Sequence, residues 1–491
     1  MPRVGLIRRH INGFTSWQFQ VGASSPMAVL AGGVVSTYAT IGVLGVPLSF
    51  PIIGLALALL SVGYLAMTYR AGNAAPAYAF MALGLGPAWG IAFGVLAIVA
   101  YNSIQISLYG LFGATMAGVT GVGGWQVWAW IGWLVVAVFG VANFSLGKVV
   151  IAVVGMAEIG VIALLVLAAF THPHGGHISV APLTVGALWD ERGQVGGVFA
   201  LSVAAFVGFD TGAAYAEEGK TDKTVIKATV ATLVFLPVFY ALVAWALPVW
   251  TGPDEIVAAA RNTATNGLPF GILERHYGSG VSVLAEMLLV SSVLIAALSF
   301  HNTIGRYVHS VAREGVIPSV LGTVGLRSGR FAGATAPASL LQTAVAGVVI
   351  TIFMVAGADP IQGMFIWLSS GAAVAILVML VGVSISAVLY FRKGGGTTEN
   401  VLVRTALPIA GAAAGGALIW TIVANQSALL GVPADSWQQG VIVGAVALTL
   451  AAGFLHAWLI KTRFADRYAN VGRGRPDEVT VPDYQLGDIR V

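Results

Sequence analysis

The sequence predicts an all-α integral membrane protein of about twelve transmembrane helices. Three observations predict it. Charged residues make up 9% of the 491, where soluble proteins carry about 25%. Hydrophobic residues make up 57%, and the mean hydropathy is +0.88. Apolar stretches of about 20 residues, enough to cross a bilayer, recur from Gly22 to Ile460.

Helix 1 is expected over Gly22–Leu48, interrupted by Ser24-Ser25-Pro26 and again at Gly32-Gly33. Helix 2 follows over Pro51–Tyr69, then a short surface helix over Ala75–Leu83. Helix 3, Ala88–Val119, is long enough to be tilted. Helix 4, Trp125–Phe144, opens with Trp125, Trp128, Trp130 and Trp133, rings that settle at a membrane interface. Helix 5 is Lys148–Phe170 and is followed by a loop holding His172, His174 and His177. Helix 6, Phe199–Glu218, leads to helix 7, Val225–Trp250, and an external amphipathic helix over Asp254–Thr263. Helices 8 to 12 are expected over Val281–Ala312, Pro337–Ala356, Ile361–Phe391, Val403–Ala424 and Trp437–Ile460. Residues 1–20 form a basic arm without the apolar core of a signal peptide, and residues 462–491 a polar, disordered tail.

Orientation follows from the basic residues. With both ends cytoplasmic, only Arg192, Arg261 and Arg275, 3 of the 24 Lys and Arg, fall outside. Arg70, Lys148, Lys220, Arg306, Arg327, Arg330 and Arg404 then fall inside. The expected location is a bacterial-type cytoplasmic (plasma) membrane, with the lipid bilayer as partner.

Helix 6 places Gly208, Asp210 and Gly212 near the middle of an apolar segment. Glycine costs a helix about 1 kcal/mol relative to alanine. A charge at that depth costs about 2.5–3.5 kcal/mol on the insertion scale. Both are tolerable if the helix breaks there and its freed backbone groups face a cavity. Broken helices at the midplane are a common substrate site of secondary transporters. Helices 1 and 6 are five apart, so a five-helix repeat would run in the opposite sense in its second copy. The core is therefore residues 21–400, as inverted repeats of about 21–170 and 193–392. Helices 11 and 12, within 401–461, are peripheral.

Phe206-Val207-Gly208-Phe209-Asp210, followed by Ala216-Glu217-Glu218, resembles the helix-6 signature of the amino acid–polyamine–organocation (APC) permeases. Asn302-Thr303-Ile304-Gly305-Arg306-Tyr307, Ala312-Arg313-Glu314-Gly315-Val316-Ile317-Pro318 and Gly45-Val46-Pro47-Leu48 fit the same superfamily. The resemblance covers residues 20–400. It implies a leucine-transporter-type 5+5 inverted-repeat fold and secondary transport of an amino acid or related amine. In such proteins the substrate carboxylate meets N–H groups of the helix-1 break, here Ser25, Pro26, Met27, Ala28, Gly32 and Gly33. The ammonium meets carbonyls of the helix-6 break, here Phe206, Gly208, Phe209, Asp210 and Thr211, and Phe206 or Phe209 closes over the substrate. Two departures stand out. Many members carry Gly-Ser-Gly in the helix-1 break, where this chain has Ser25-Pro26-Met27-Ala28 and Ala31-Gly32-Gly33. Many sodium-independent members carry a helix-5 lysine, and this chain aligns Glu158 there.

Each candidate has a plainer reading. Asp210 is a titrating or amine-facing carboxylate, or a cap for the half-helix after it. Glu158 is a proton-binding group, costly when charged in a low-dielectric pocket, or a structural hydrogen-bond partner. A sodium site in this fold type needs oxygens from helices 1 and 8, where Ser291 and Ser292 could supply hydroxyls and Glu158 itself could be a ligand. Glu286 faces an outer vestibule, and Glu217 and Glu218 form an inner gate or a solvated cap. Asn102, Gln105 and Tyr109 share a face of helix 3, as packing glue or as substrate contacts. The glycines are break points or close-packing positions. The three loop histidines lack a fourth metal ligand and read as solvated.

The chain has no cysteine, which excludes disulfides and thiolate sites. It has no HExxH and no GxSxG, so enzyme chemistry, a cofactor, a metal and a nucleic-acid partner are not expected. A channel would need a repeated polar pore stretch. The expectation is a permease, with protons as the coupling ion, sodium symport and exchange as alternatives, and Glu158, Asp210 and Ser292 as coupling residues.

Overall fold

The computed structural model describes residues 11–71, 73–141, 148–189, 194–218, 223–262, 267–323, 335–394 and 400–473. Among them there is no strand. Eleven helices are long and apolar enough to cross a membrane. A shorter apolar helix, Trp125–Val141, stands where helix 4 is expected, and the rest of that stretch lies outside the described residues. The all-α membrane architecture is therefore as the composition predicts. Arg327 and Arg330 also lie outside the described residues, as do the side chains of Glu217 and Glu218.

Helix 1 begins at Gly13, earlier than Gly22, and ends at Ile41. Asn12 caps it, its side chain accepting the Thr15 N–H at 2.8 Å. Ser16, Gln18 and Gln20 are buried, so the second half of the expected arm is the first half of helix 1. Gly42, in the left-handed region at φ 75°, stops the helix. Helix 2 then runs Val46–Ala71, so the Gly45-Val46-Pro47-Leu48 stretch opens helix 2. A proline in the first turn sacrifices no ladder hydrogen bond.

Helix 3, Pro87–Thr120, is the central post. It packs against helix 8 (Ser279–Arg313), helix 10 (Pro360–Arg392) and helix 12 (Trp437–Arg463). The helix expected on the surface, observed as Pro76–Leu85, is instead buried against helices 3 and 10. Gly90 and Gly94 make that possible. A Cβ on Gly90 would lie 2.8 Å from the Tyr78 carbonyl oxygen, and one on Gly94 3.0 Å from the Tyr78 ring.

The tail is also a correction. Beyond Arg463 the chain forms a short helix, Ala465–Ala469, and docks through buried Val471 and Gly472. The Gly472 N–H donates to Glu314 at 2.6 Å. Glu314 also accepts from Asn73 Nδ2 at 2.8 Å and the Tyr78 hydroxyl at 2.7 Å. A buried carboxylate needs such donors, and the tail supplies one.

On the opposite end, the amphipathic connection forms Ile256–Asn262 and a second helix, Gly267–Tyr277, that the sequence reading missed. Arg261 Nε donates to the Ala39 carbonyl at 2.8 Å, tying this connection to the end of helix 1. His172 lies beside His276, ring centroids 4.6 Å apart, and the Trp250 indole donates to His276 Nε2 at 3.0 Å. Partial burial, His172 and Arg275 hold His276 below the usual histidine range. Among the described residues no three His, Asp or Glu converge as a metal site.

Candidate substrate site between two helix breaks

Helix 1 breaks at Ser25, whose φ of 52° makes it the one non-glycine residue with positive φ among those described. Pro26 has no N–H, and no backbone hydrogen bond carries Met27 or Ala28 back to Ala23 or Ser24. The ladder resumes when the Val29 N–H donates to the Ser25 carbonyl at 2.9 Å. Val29–Val34 then follows as a wide π-type turn. The interruption is therefore shorter than the expected Ser25–Gly33. Gly32 is a close-packing position, since a Cβ there would sit 2.9 Å from Leu111 of helix 3. Gly33 has open space and faces a cavity.

Helix 6 runs Val195–Phe206 and breaks at Val207, Gly208, Phe209 and Asp210. Gly208 adopts φ 122°. The chain restarts as a 3-10 helix, Thr211–Glu218, tightened by the Thr211 hydroxyl donating to the Gly208 carbonyl at 2.6 Å. The two breaks touch. A Cβ on Gly208 would lie 2.9 Å from the Ala23 carbonyl carbon and from the Ser24 nitrogen. One on Gly212 would lie 2.3 Å from the Gln20 amide. The glycines thus break helix 6 and also let it meet helix 1.

A cavity of about 40 Å³, measured as space open to water centres, lies against both breaks. Ser25, Ala28 and Gly33 line it from helix 1, and Ala204, Ala205 and Val207 from helix 6. Roughly 10–15 Å³ of such space holds one water. The cavity therefore has room for only a few waters, and a substrate fits only if its walls separate.

Several sequence candidates stand elsewhere. Phe206 packs on Phe50 and Tyr240, with centroids 6.1 and 5.8 Å away, and Phe209 is fully buried. Neither lines the cavity; the aromatic rings that do are Phe300 of helix 8 and Phe365 of helix 10. Asn102 donates to the Ile98 carbonyl of its own helix at 2.8 Å. Gln105 donates to Tyr109 at 2.9 Å and accepts from Gln342 of helix 9 (Ala336–Val355). That pair is interhelical packing glue and is not on the cavity wall.

Asp210 does not cap the half-helix after it. Its Oδ2 accepts from the Tyr101 hydroxyl at 2.5 Å, and its Oδ1 has no partner. Its backbone carbonyl accepts from Tyr64 at 3.1 Å. Tyr101 stacks on Phe300, so the acid stands one layer behind the cavity wall.

Glu158 is 3% exposed on helix 5, Lys148–Thr171. Its Oε2 accepts from the Ser292 hydroxyl at 2.8 Å, and its carboxylate meets the Met27 N–H. Ser292 Oγ in turn lies 2.7 Å from Ser25 Oγ. Either hydroxyl can donate in that second bond: Ser25 donates when the Ser292 proton goes to an ionised Glu158, and Ser292 can donate when Glu158 carries a proton. Ser291, the other sequence candidate, donates to the Leu288 carbonyl of its own helix at 3.0 Å. A second, smaller cavity of about 20 Å³, measured in the same way, is bordered by Glu158, Pro26 and Gln18 on the far side of helix 1. The sequence thus names the three members of this chain but not their connection.

A family model described as amino acid permease matches residues 14–448, from the first half of helix 1 into helix 12. No curated protein matches the chain.

Proposed function

The chain belongs to the amino acid permease family, and on that premise we propose that it imports an amino acid or related amine together with protons. Membership makes it a transporter and not an enzyme. In the proposed arrangement the substrate sits between the two breaks, at the interface of inverted repeats formed by residues 21–170 and 193–392. Its carboxylate meets the Ala28 N–H, just after the break and beside the cavity. Its ammonium meets carbonyls of the helix-6 break. Half-helix ends carry complementary partial charges, so one zwitterion satisfies both.

The observation that carries proton coupling is the chain Ser25–Ser292–Glu158. It ties a side chain on the cavity wall to a buried carboxylate on another helix. If the half of helix 1 before the break swings away about the kink at Ser25, Ser292 loses Ser25, and water reaches the carboxylate through the small cavity beside Gln18. The cost of charging Glu158 then changes with the side that is open, which is the minimum requirement for coupling. The alternative is sodium symport, in which the oxygens of Ser25, Ser292 and Glu158 ligate the ion, or obligate exchange.

Uptake into proteoliposomes separates these. A pH gradient, inside alkaline, should drive accumulation without sodium, and Glu158→Gln should keep substrate binding while abolishing the response to the gradient. Uptake that requires sodium and ignores the pH gradient would refute proton coupling. Exchange of labelled for unlabelled substrate with no net uptake would point to an exchanger.

A further inference from the structure

We infer that the transported substrate is an α-amino acid with a small, uncharged, aliphatic side chain. This rests on the reading of the cavity as the substrate site. The wall that a side chain would meet is built from Ile104 and Leu108 of helix 3, Leu201 of helix 6, Phe300 and Phe365. No Asp, Glu, Lys, Arg or His lines it.

The hydroxyls among the lining residues are those of Ser24, Ser25 and Ser369, and each is already engaged in a hydrogen bond within the protein. Ser24 donates to the Gln20 carbonyl at 3.2 Å, and Ser369 to the Ile366 carbonyl at 3.2 Å. Ser25 shares a hydrogen bond with Ser292 at 2.7 Å. A polar substrate side chain would therefore lose its water and meet only hydroxyls engaged elsewhere, a net penalty. A charged one would be buried without a counter-ion, which is worse. An aliphatic side chain loses nothing and removes apolar wall from water.

Asp210 is the one group that argues for a cationic substrate, because its Oδ1 is unpaired. It is not on the wall, and Tyr101, bonded to its other oxygen, stacks against Phe300, which is. An amine would have to displace that tyrosine. The small volume adds a size limit. With about 40 Å³ open to water centres, the smallest side chains need the least wall movement.

The test pairs binding with transport on the full chain. Thermal shift in detergent and counterflow in proteoliposomes are run with glycine, alanine, valine, leucine, lysine, glutamate and putrescine. Alanine or valine should raise the melting temperature and exchange at least ten-fold faster than lysine, glutamate or putrescine. Leu201→Ala, which enlarges the wall, should shift the leucine-to-alanine exchange ratio towards leucine by roughly ten-fold, the lower end of what one or two methylenes decide. Stabilisation by alanine without counterflow would sink the transport reading and leave the substrate class standing. Exchange or stabilisation by lysine, glutamate or putrescine above the aliphatic set would overturn the substrate class and leave transport standing. The class also fails if no aliphatic amino acid stabilises the protein.

Discussion

Gly208→Ala tests the contact between the two breaks. The perturbation is a single methyl group, and it acts twice. At φ 122° an L residue is in a sparsely allowed region, which costs on the order of 1–3 kcal/mol. The new Cβ would also sit 2.9 Å from the Ala23 carbonyl carbon and the Ser24 nitrogen, where 3.4–4 Å is ordinary contact. Those are backbone atoms and cannot rotate aside, so helices 1 and 6 must part by about half an ångström, and overpacking of this kind costs about 1–3 kcal/mol. The sum is roughly 2–6 kcal/mol, and each 1.4 kcal/mol is about ten-fold in an equilibrium. The variant should melt well below the unmodified protein and lose at least ten-fold in initial uptake at equal folded amount. Gly160→Ala is the control. Gly160 is exposed on helix 5 with nothing within 4 Å of a new Cβ, and alanine there should stabilise by up to about 1 kcal/mol. If Gly208→Ala melts and transports like the unmodified protein, the breaks do not meet as described.

Tyr101→Phe should lower the melting temperature by the equivalent of about 1–3 kcal/mol, because it leaves the buried Asp210 carboxylate without its 2.5 Å donor; an unchanged melting curve would show that bond to be idle. Ser292→Ala removes the link between Ser25 and Glu158 and should weaken the response of uptake to a pH gradient more than it weakens substrate binding; equal loss of both would make Ser292 a structural residue only. Stopping the chain after Phe464 removes the Gly472 N–H from Glu314 and should cost about 1.5–3 kcal/mol, the worth of a hydrogen bond to a charged group; a full-length melting temperature would count against the docked tail. Single cysteines in this cysteine-free chain fix the orientation. Arg327→Cys should be shielded from an impermeant thiol reagent added outside intact cells and His174→Cys should react, and the reverse pattern would invert the topology.

What was legible in the sequence is what is rare in a membrane protein. Asp210 and Glu158 stand out because a charge in an apolar helix has to be explained, and Gly208 and Pro26 because they weaken a helix beside those signals. The cavity wall was not legible for the converse reason. Phe300 and Phe365 are apolar residues in helices whose lipid face and core face are both apolar, so no periodicity separates them. The π-type turn over Pro360–Ile366 shifts the register of helix 10 just where Phe365 and Ser369 turn inward. Phe206 and Phe209 sat in the recognised motif and drew attention, yet the break rotates them into the core. The buried helix Pro76–Leu85 and the docked tail depend on partners more than 200 and 150 residues away, Tyr307 with Ala77 and Glu314 with Gly472. No local pattern encodes such pairs.

The position of the two acids bears on how coupling works. Neither lines the cavity, so neither can respond to a substrate by direct contact. A ligand shifts a conformational equilibrium only through a difference in its affinity for the two states. For an aliphatic substrate that difference must arise at the backbone ends of the breaks and at the apolar wall. Ser25 belongs to both worlds: it lines the cavity, forms the left-handed kink of helix 1, and is hydrogen-bonded to Ser292. Asp210 is joined to the same point from the other side, because Gly208, two residues before it, rests on Ala23 and Ser24. In the proposed cycle a substrate that fixes the helix-1 kink therefore fixes the donors of Glu158 and the packing beneath Asp210 together. Emptying the site frees both. Substrate and proton then bias one element, the kink of helix 1, and no direct contact between them is required.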